Sequence, residues 1–345
     1  MANKKILRVV TLSRHGTRAP FKAYPNGPEW RYQPTQLTEK GRMEHQELGR
    51  LLRQRYIHNY DFLNRMYSPA EIYVRSTNRA RTIESARNQV GGLYPGLELG
   101  DIDIEALALK EDFLMISYNP TVCPNMEPII DAHYERCKTL LSDHKVDLKL
   151  LSELSGIDEN DLDLDQVTFI GDALACEKFE MGVMNSKFPK EMAEKVIYLW
   201  HYLHVIGYFE NDEICRVASC PFFFDMLNRF KAAIYRHPRL VANKLALYLG
   251  HDATMVPILK ILGHFNPLNV PYPASQLIFE LSQHRDGQNY VEITFNNEIL
   301  HIPEMGRRDF YLLEDFEEYL KGKLYQNDDK FCDACGANFP IAMFQ

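Results

Sequence analysis

Short apolar strands are predicted near both ends of the chain, and they frame a long helical middle. Residues 6–13 (ILRVVTLS), 71–77 (EIYVRST) and 245–250 (LALYLG) are brief and largely apolar, and the first is also rich in β-branched residues, which is typical of buried strands. From about residue 100 to residue 240, long helical patterns alternate with polar loops. If one sheet takes strands from both ends of the chain, the middle must be an insertion between its halves.

We therefore predict an α/β fold with a central mixed sheet flanked by helices and a smaller α-helical insertion or cap domain. The core is expected to comprise residues 1–100 and 241–345, and the cap residues 101–240. The segments QLIFELSQ and YVEITFNN, joined by an Asp-Gly turn, predict an antiparallel hairpin. Helices are predicted at these positions: 37–56, 79–90, 127–153, 190–209, 221–236, 254–263 and 312–324. Thr38 is the expected N-cap of the first helix, and Thr77 or Asn78 that of the second.

The overall charge and hydropathy exclude two classes of protein. The chain has 345 residues and a formal net charge of −8, which argues against a nucleic-acid-binding surface. No apolar run approaches the roughly 20 residues that cross a bilayer, so no membrane span is predicted. The N-terminus, MANKKILRVVTLSRHG, lacks the apolar region and cleavage site of a signal peptide.

Ionisable residues follow each of the three predicted strands. The first strand runs into RHGTRAP and the third into HDAT, and the apolar part of the second, residues 71–74, ends at Arg75. Ligands of open α/β sheets bind beyond the carboxyl ends of the strands, where helix N-termini also favour anions. If the three strands are parallel neighbours, six side chains converge on one anion site: Arg14, His15, Arg18, Arg75, His251 and Asp252.

RHGTRAP, together with a distant strand followed by His-Asp, resembles the signature of the histidine acid phosphatase family, which includes phytases. The segments LTEKGRMEHQELGRLLRQRY, VRSTNRARTIESA, GDALACE and LGHDAT extend the resemblance, in order, over most of the chain. They are more similar to prostatic and lysosomal acid phosphatases than to phytases. The resemblance implies a phosphoglycerate mutase-like core, and hydrolysis of phosphomonoesters without a metal or any other cofactor.

The resemblance also implies roles for the six side chains. His15 corresponds to a nucleophile that forms a phosphohistidine, and Asp252 to the proton donor. The phosphate-binding groups are Arg14, Arg18, Arg75 and His251. Guanidiniums neutralise and orient a phosphoryl group, and they should lower the pKa of His15. A backbone carbonyl near Gly16 is the expected partner of its other ring nitrogen. Asp252 can donate a proton if bound phosphate and partial burial raise its pKa, which predicts an acidic pH optimum.

The loop of residues 21–36 (FKAYPNGPEWRYQPTQ) is expected to contact the leaving group. Its pocket candidates are Lys22, Tyr24 and Trp30. The predicted substrate is a small-molecule, lipid or peptide phosphomonoester. A phytase is the second reading, because phytate calls for more cations than this loop offers. A catalytically inactive phospholigand-binding protein is the third, although every catalytic position is filled. A monomer and a homodimer are both left open.

Three further residues were considered for a role in the site. Asp172, in GDALACE, is interpreted as a structural hydrogen-bonding residue in a helical region. His201 and His204 fit one helix face, so no metal site is predicted from them.

The seven cysteines bear on the location of the protein. By resemblance, Cys123 and Cys176 match the disulfide framework of the secreted and lysosomal relatives, but Gln276 stands where Cys176 would find its partner. Cys332 or Cys335 can still pair with Cys123. Their CxxC spacing also leaves half a zinc site or a redox pair as alternatives. The incomplete framework favours a cytoplasmic protein, with a secreted, lysosomal or periplasmic one as the alternative if a signal was removed.

Overall fold

The structure is a computed structural model that describes residues 4–185, 187–235, 243–268 and 270–337. In this part of the chain, seven strands form a single sheet. The strands are β1 (Lys4–Arg14), β2 (Ile72–Ser76), β3 (Leu245–Gly250), β4 (Gln276–His284), β5 (Asn289–Phe295), β6 (Glu298–Ile299) and β7 (Tyr311–Leu312).

The sheet is mixed, with the order β2-β3-β1-β4-β5-β6 and β7 paired to β5. β2, β3 and β1 are parallel neighbours, and the remaining pairings are antiparallel. The register pairs Arg14 with Gly250 and Ser76 with Leu249, so the three parallel strands end at the same edge. The predicted sheet of strands from both ends of the chain is confirmed, as is the predicted hairpin, which is β4 and β5.

Thirteen α-helices lie in the described residues. They are α1 (Glu39–Arg53), α2 (Ala80–Leu93), α3 (Phe113–Ile116), α4 (Glu127–Cys137), α5 (Leu140–Asp143), α6 (Leu148–Ser155), α7 (Leu164–Met181), α8 (Lys190–His201), α9 (Gly207–Phe209), α10 (Asp212–Tyr235), α11 (Asp252–Ile261), α12 (Leu313–Lys323) and α13 (Asp328–Cys335).

Helices cover both faces of the sheet. On one face, α1 and α2 bury Leu52 and Val90 against Leu247 of β3. On the other, α10 buries Phe222 against Phe279 of β4, and their ring centroids are 6.0 Å apart. The sheet is thus enclosed between two helical layers, as strands with apolar residues on both faces require.

A third apolar cluster lies outside these layers, in the stretch predicted as the cap. It joins Val167 and Leu174 of α7 to Val196 and Leu199 of α8. By contrast, α10 belongs to the same stretch but packs on the sheet. Helical periodicity is the same whether a helix packs on a sheet or on other helices, so a helical pattern alone does not distinguish the two.

Two helix N-termini differ in how they are capped. Thr38 caps α1 as predicted, because its hydroxyl accepts a hydrogen bond from the Gly41 N–H at 3.2 Å. The predicted cap of α2 is wrong: Arg79 occupies the N-cap position without a side-chain cap hydrogen bond. The hydroxyl of Thr77 lies 3.0 Å from the His251 ring instead. The same hydroxyl lies 2.9 Å from the Thr82 hydroxyl, so Thr77 links the His251 ring to the first turn of α2.

A disulfide and one unpredicted helix complete the C-terminal part. Cys123 is bonded to Cys335, at the end of α13, and both residues are buried. This is one of the two pairings that the sequence left open.

No helix within the described ranges is long and apolar enough to cross a membrane.

Candidate active site

The loop that follows β1 is fixed by its backbone on two sides. The His15 N–H donates to the Gly250 carbonyl at the end of β3, and the His15 carbonyl accepts from the Ala274 N–H, each at 3.0 Å. Gly16 lies against α1, where a Cβ would come within 2.4 Å of the Gly41 carbonyl oxygen. No side chain fits at this position, so the glycine allows the loop to pack on the helix.

The His15 imidazole is buried and held in one tautomer. Its Nδ1 lies 2.8 Å from the Gly16 carbonyl oxygen. Because a carbonyl only accepts, Nδ1 carries the proton and Nε2 keeps its lone pair. Burial, followed by the charges of Arg81 and Arg14, holds the pKa of His15 well below its usual range. The direction expected from the sequence is correct, although burial is the largest cause.

Asp252 begins α11 and is ion-paired across the site. Nη2 of Arg14 lies 2.7 Å from its carboxylate, and Nη1 of Arg14 donates to the Pro271 carbonyl at 2.5 Å. Burial raises the pKa of Asp252, but Arg14, His201 and His251 outweigh it and bring this pKa to about 2. The carboxyl is therefore ionised until something competes for Arg14.

Asp172 holds Arg18 from the cap. The Arg18 guanidinium donates to both Asp172 oxygens, at 2.7 and 3.2 Å, and the Phe21 N–H donates to the same carboxylate at 2.7 Å. Asp172 is buried on α7. A charged bidentate pair fixes the direction of a guanidinium, so Asp172 positions Arg18.

Arg75 does not lie in the site, and this part of the predicted constellation is wrong. Its Nη1 donates to Glu105 at 2.5 Å and its Nη2 to Asp112 at 2.6 Å. Arg75 is a residue within β2, where side chains alternate between the two faces of the sheet. It therefore points to a carboxylate pair and not to the edge where the strands end, and it does not line the cavity.

Arg81 occupies the place predicted for Arg75. It lies in the first turn of α2, lines the cavity, and its Nη2 is 3.4 Å from Nδ1 of His251. In the described part of the chain it forms no ion pair, and its Nε is shielded without a hydrogen-bond partner. Burial and the charge of Arg18 lower the pKa of Arg81 to about 10. The clue in the sequence was its position at the start of the helix that follows the strand.

His251 is oriented by the two groups on either side of its ring. Since Arg81 can only donate to Nδ1, the Nε2–H faces the Thr77 hydroxyl, at 3.0 Å. Its ring centroid lies 5.4 Å from that of His15. Burial and the charge of Arg81 hold the pKa of His251 well below its usual range. The ring is thus a neutral, fixed part of the site.

The cavity beside these groups has a volume of about 640 Å³. None of the three pocket candidates in the loop lines it: the Lys22 amine donates to Gln166, the Tyr24 hydroxyl donates to Glu177, and Trp30 lies elsewhere. The aromatic residues that do line it are Phe21, Tyr118, Phe169 and Trp200, together with His204. Trp200 comes from the end of α8 and His204 from the π-helical turn after it, where the sequence predicts one continuous helix over 190–209.

Among the described residues, no cluster of three His, Cys, Asp or Glu side chains is arranged to hold a metal ion. The charged groups around the cavity are mainly guanidiniums. Such groups, fixed around one neutral imidazole, suit an oxyanion.

Comparison with known proteins agrees with this chemistry. The sequence is 31% identical over 325 residues to prostatic acid phosphatase of Bos taurus, covering 87% of this chain and 79% of that protein. It is 30% identical over 324 residues to lysosomal acid phosphatase of Bos taurus, covering 87% and 73%.

Solved structures share the fold at lower identity. The apo form of Hafnia alvei phytase matches with a TM-score of 0.67 and 18% identity, covering 97% of this chain and 99% of that chain. The Bifidobacterium longum multiple inositol polyphosphate phosphatase in complex with phosphate matches with a TM-score of 0.68 and 11% identity, covering 95% and 94%. At these identities the likeness shows the fold alone.

The model of the histidine phosphatase superfamily (branch 2) matches residues 5–296. This match spans most of the chain, and the two curated relatives are both acid phosphatases. The chain therefore belongs to branch 2 of the histidine phosphatase superfamily and is a phosphoric monoester hydrolase.

Proposed function

We propose that the protein is an acid phosphatase that hydrolyses phosphomonoesters through a covalent phosphohistidine on His15. The hydrogen bond between Nδ1 and the Gly16 carbonyl carries this proposal, because it leaves a lone pair on Nε2. The depressed pKa of His15 keeps that nitrogen unprotonated in acid. A neutral, desolvated imidazole that is fixed in one tautomer is an activated nucleophile.

Three guanidiniums bind the phosphoryl group in this proposal. Arg14 and Arg18 each have a carboxylate partner, Asp252 and Asp172, whereas Arg81 has none in the described chain. A phosphate therefore supplies the counter-charge that Arg81 lacks. Guanidiniums that are already in place stabilise the charge of the transition state without having to reorganise. This arrangement supports metal-independent phosphoryl transfer.

We call the groups that bind phosphate in this proposal the phosphate cradle. Besides the three guanidiniums it includes His251, which follows β3. Its Nδ1 carries a lone pair and lies next to Arg81, so the protonated oxygen of a phosphate monoanion held by Arg81 can donate a hydrogen bond to that nitrogen. Thr77 prevents the ring from turning away. His251 is therefore the fourth phosphate-binding group in the proposal.

Asp252 acquires its proton only when substrate is present. A phosphate that binds Arg14 weakens the Arg14–Asp252 pair and repels the carboxylate, which raises the pKa of Asp252 from about 2. In acid the phosphomonoester is a monoanion that brings a proton of its own, because its second pKa is about 6. Activity should thus fall as the pH rises above about 6.

The reaction then proceeds in two balanced steps. Nε2 of His15 forms a bond to phosphorus while the bond from phosphorus to the ester oxygen breaks, and Asp252 gives its proton to the leaving oxygen. In the second step Asp252 takes a proton from water, the water oxygen bonds to phosphorus, and the bond to Nε2 breaks. Phosphate leaves and His15 is regenerated.

The cavity favours a substrate with one phosphate over an inositol polyphosphate. Beyond the cradle, Arg79 is the one further arginine or lysine among the described lining residues. Lys22 donates to Gln166, and Arg31 donates to the Tyr32 hydroxyl, both away from the cavity. Six phosphates need more counter-charge than one exposed guanidinium supplies. The phytase alternative is therefore the weaker one.

Trapping of the intermediate tests the proposal. Protein is mixed rapidly with radiolabelled p-nitrophenyl phosphate and quenched in alkali, in which phosphohistidine persists. We expect labelled wild-type protein and no label in His15→Ala. His58→Ala, at an exposed position, is the control and should be labelled like the wild type. Label or turnover retained in His15→Ala contradicts the proposal.

We also propose that the protein works in an oxidising compartment rather than in the cytoplasm. The Cys123–Cys335 disulfide supports this location, because structural disulfides persist mainly outside reducing compartments. The name of the lysosomal relative agrees with it.

A further inference from the structure

One wall of the cavity is a continuous set of rings centred on Trp200. The Trp200 centroid lies 5.4 Å from that of Phe21, 6.1 Å from that of Phe169 and 4.1 Å from that of His204. These are the separations of aromatic groups in contact. All four side chains line the cavity beside the phosphate cradle.

The wall carries one polar atom that nothing satisfies. Nε2 of His204 is shielded from solvent and has no hydrogen-bond partner within the described chain. Buried polar atoms in folded proteins nearly always have a partner, so an exception requires an explanation. A ligand in the cavity is one, because His204 lines it. Burial lowers the pKa of His204 to about 4, so in mild acid the ring is neutral and can give or accept a hydrogen bond.

Aliphatic side chains also line the cavity. Leu107 and Leu109 come from the segment before the helix α3, and Ile116 is the last residue of that helix. A π-helical turn, Tyr202–Ile206, follows α8 and carries His204. Insertions of this kind in a helix are frequent at functional sites. The cavity thus offers rings and aliphatic side chains to a flat group, with one nitrogen available to it.

We propose, on the basis of the phosphatase function above, that Trp200 and His204 form a leaving-group subsite. Trp200 stacks on a planar aromatic leaving group, and Nε2 of His204 forms a hydrogen bond with a polar substituent on that group. The substrate class is then a phosphate monoester of a substituted phenol or of a similar flat, polar aromatic alcohol. The residues that recognise the leaving group thus come from the cap.

Ratios of kcat/KM between paired substrates test the two contacts separately. Phenyl phosphate and cyclohexyl phosphate differ in planarity, and the three hydroxyphenyl phosphates add a hydroxyl at each ring position. In Trp200→Leu we expect the phenyl-to-cyclohexyl ratio to fall about tenfold, as the loss of a stacked pair implies. In His204→Phe the ratio of the best hydroxyphenyl phosphate to phenyl phosphate should fall about fivefold, as the loss of one hydrogen bond implies. Each ratio measured in a variant is compared with the same ratio in the wild type, so differences in intrinsic reactivity between the substrates cancel.

Three controls separate the subsite from the fold and from the phosphatase reaction. Trp200→Phe keeps a ring and serves if Trp200→Leu does not fold. Inhibition by inorganic phosphate reports on the cradle and should change little in any of these variants. Trp30→Phe, at a tryptophan outside the cavity, should keep both ratios. If a variant keeps wild-type activity and its ratio of kcat/KM values does not change, the subsite is overturned and the phosphatase function stands. Hydrolysis that survives in His15→Ala overturns the proposed function.

Binding without turnover gives an independent readout. The chain has two tryptophans, so Trp30→Phe leaves Trp200 as the sole one. In the His15→Ala, Trp30→Phe protein, phenyl phosphate should quench the remaining fluorescence more strongly than cyclohexyl phosphate does. Equal quenching by the two ligands overturns the stacking contact.

Discussion

The guanidinium of Arg14 lies 2.7 Å from the carboxylate of Asp252 and ties the end of β1 to the start of α11. The two elements meet because β1 pairs in parallel with β3, and Arg14 stands opposite Gly250 in that register. The pair holds the proposed proton donor beside the proposed nucleophile. It also keeps the donor ionised until phosphate competes for Arg14.

Substitution of Asp252 should discriminate between leaving groups. In Asp252→Asn we expect kcat/KM to fall by about 10²–10⁴ for an alkyl substrate such as glycerol 2-phosphate, which needs a protonated leaving oxygen. The loss should be smaller for p-nitrophenyl phosphate, whose leaving group is stable as an anion. Steady-state kinetics on both substrates measures the difference. Asp101→Asn, at an exposed position, is the matched control, and equal losses on the two substrates rule out the role of Asp252 as acid.

Arg81 and Arg75 should behave in opposite ways. Arg81→Ala removes a guanidinium that has no ion-pair partner in the described chain, so kcat/KM should fall and the inhibition constant of inorganic phosphate should rise, each by about 10²-fold. Arg75→Ala instead leaves the buried carboxylate of Asp112 unpaired, which costs about 3–5 kcal/mol of stability.

Thermal unfolding and phosphate inhibition, measured on both variants, distinguish the two arginines. Arg75→Lys keeps a charge beside Asp112 and serves if Arg75→Ala does not fold. Weakened phosphate binding in folded Arg75 variants, with normal binding in Arg81→Ala, restores the assignment made from the sequence.

The sequence predicted the end of the sheet at which the parallel strands stop, but not every side chain that lies there. Strand ends could be located because short apolar runs stop abruptly before RHG and HDAT. Arg75 was misplaced because the direction of a strand side chain depends on what lies on each face. Here it depends on Asp112, which is distant in sequence and adjacent in space.

The wall of rings centred on Trp200 could not be predicted from the loop of residues 21–36 for a similar reason. Tyr24 was an obvious aromatic candidate for the cavity. Its hydroxyl instead donates a hydrogen bond to Glu177 of α7, which directs the Tyr24 ring away from the cavity. Trp200 lies on α8, and the apolar pattern of that helix is the same whether Trp200 packs in a core or lines a cavity. Only the position of the cap relative to the sheet decides which ring faces substrate, and no local pattern encodes that position.

His45 should make the protein less stable in acid. The ring is buried, with Nε2 3.1 Å from the Arg14 carbonyl oxygen and Nδ1 3.2 Å from the side-chain oxygen Oε1 of Gln89. Burial lowers its pKa to about 4. The unfolded chain, with a histidine pKa of about 6.5, binds the proton more readily. The stabilisation is therefore complete above about pH 6.5 and is lost as the pH falls toward 4.

His45→Gln removes this titration and keeps a hydrogen-bonding side chain. We expect the loss of unfolding free energy between about pH 7 and pH 4 to shrink by on the order of 3 kcal/mol. Urea unfolding at both pH values measures it, with His58→Gln at an exposed position as the control. An unchanged pH dependence in His45→Gln shows that the ring does not titrate in this way.

The cysteines provide a count that decides between two locations. Denatured without reductant, the protein should expose five thiols, because Cys123 and Cys335 are bonded, and after reduction it should expose seven. Removing the bridge should lower the unfolding free energy by about 2–4 kcal/mol, since it closes a long loop that the reduced unfolded chain is free to open. Cys332→Ser is the matched control: it should lower both counts by one and keep the bridge, because Cys332 is free. Seven thiols before reduction would mean that the bridge does not form, and would favour the cytoplasmic location predicted from the sequence.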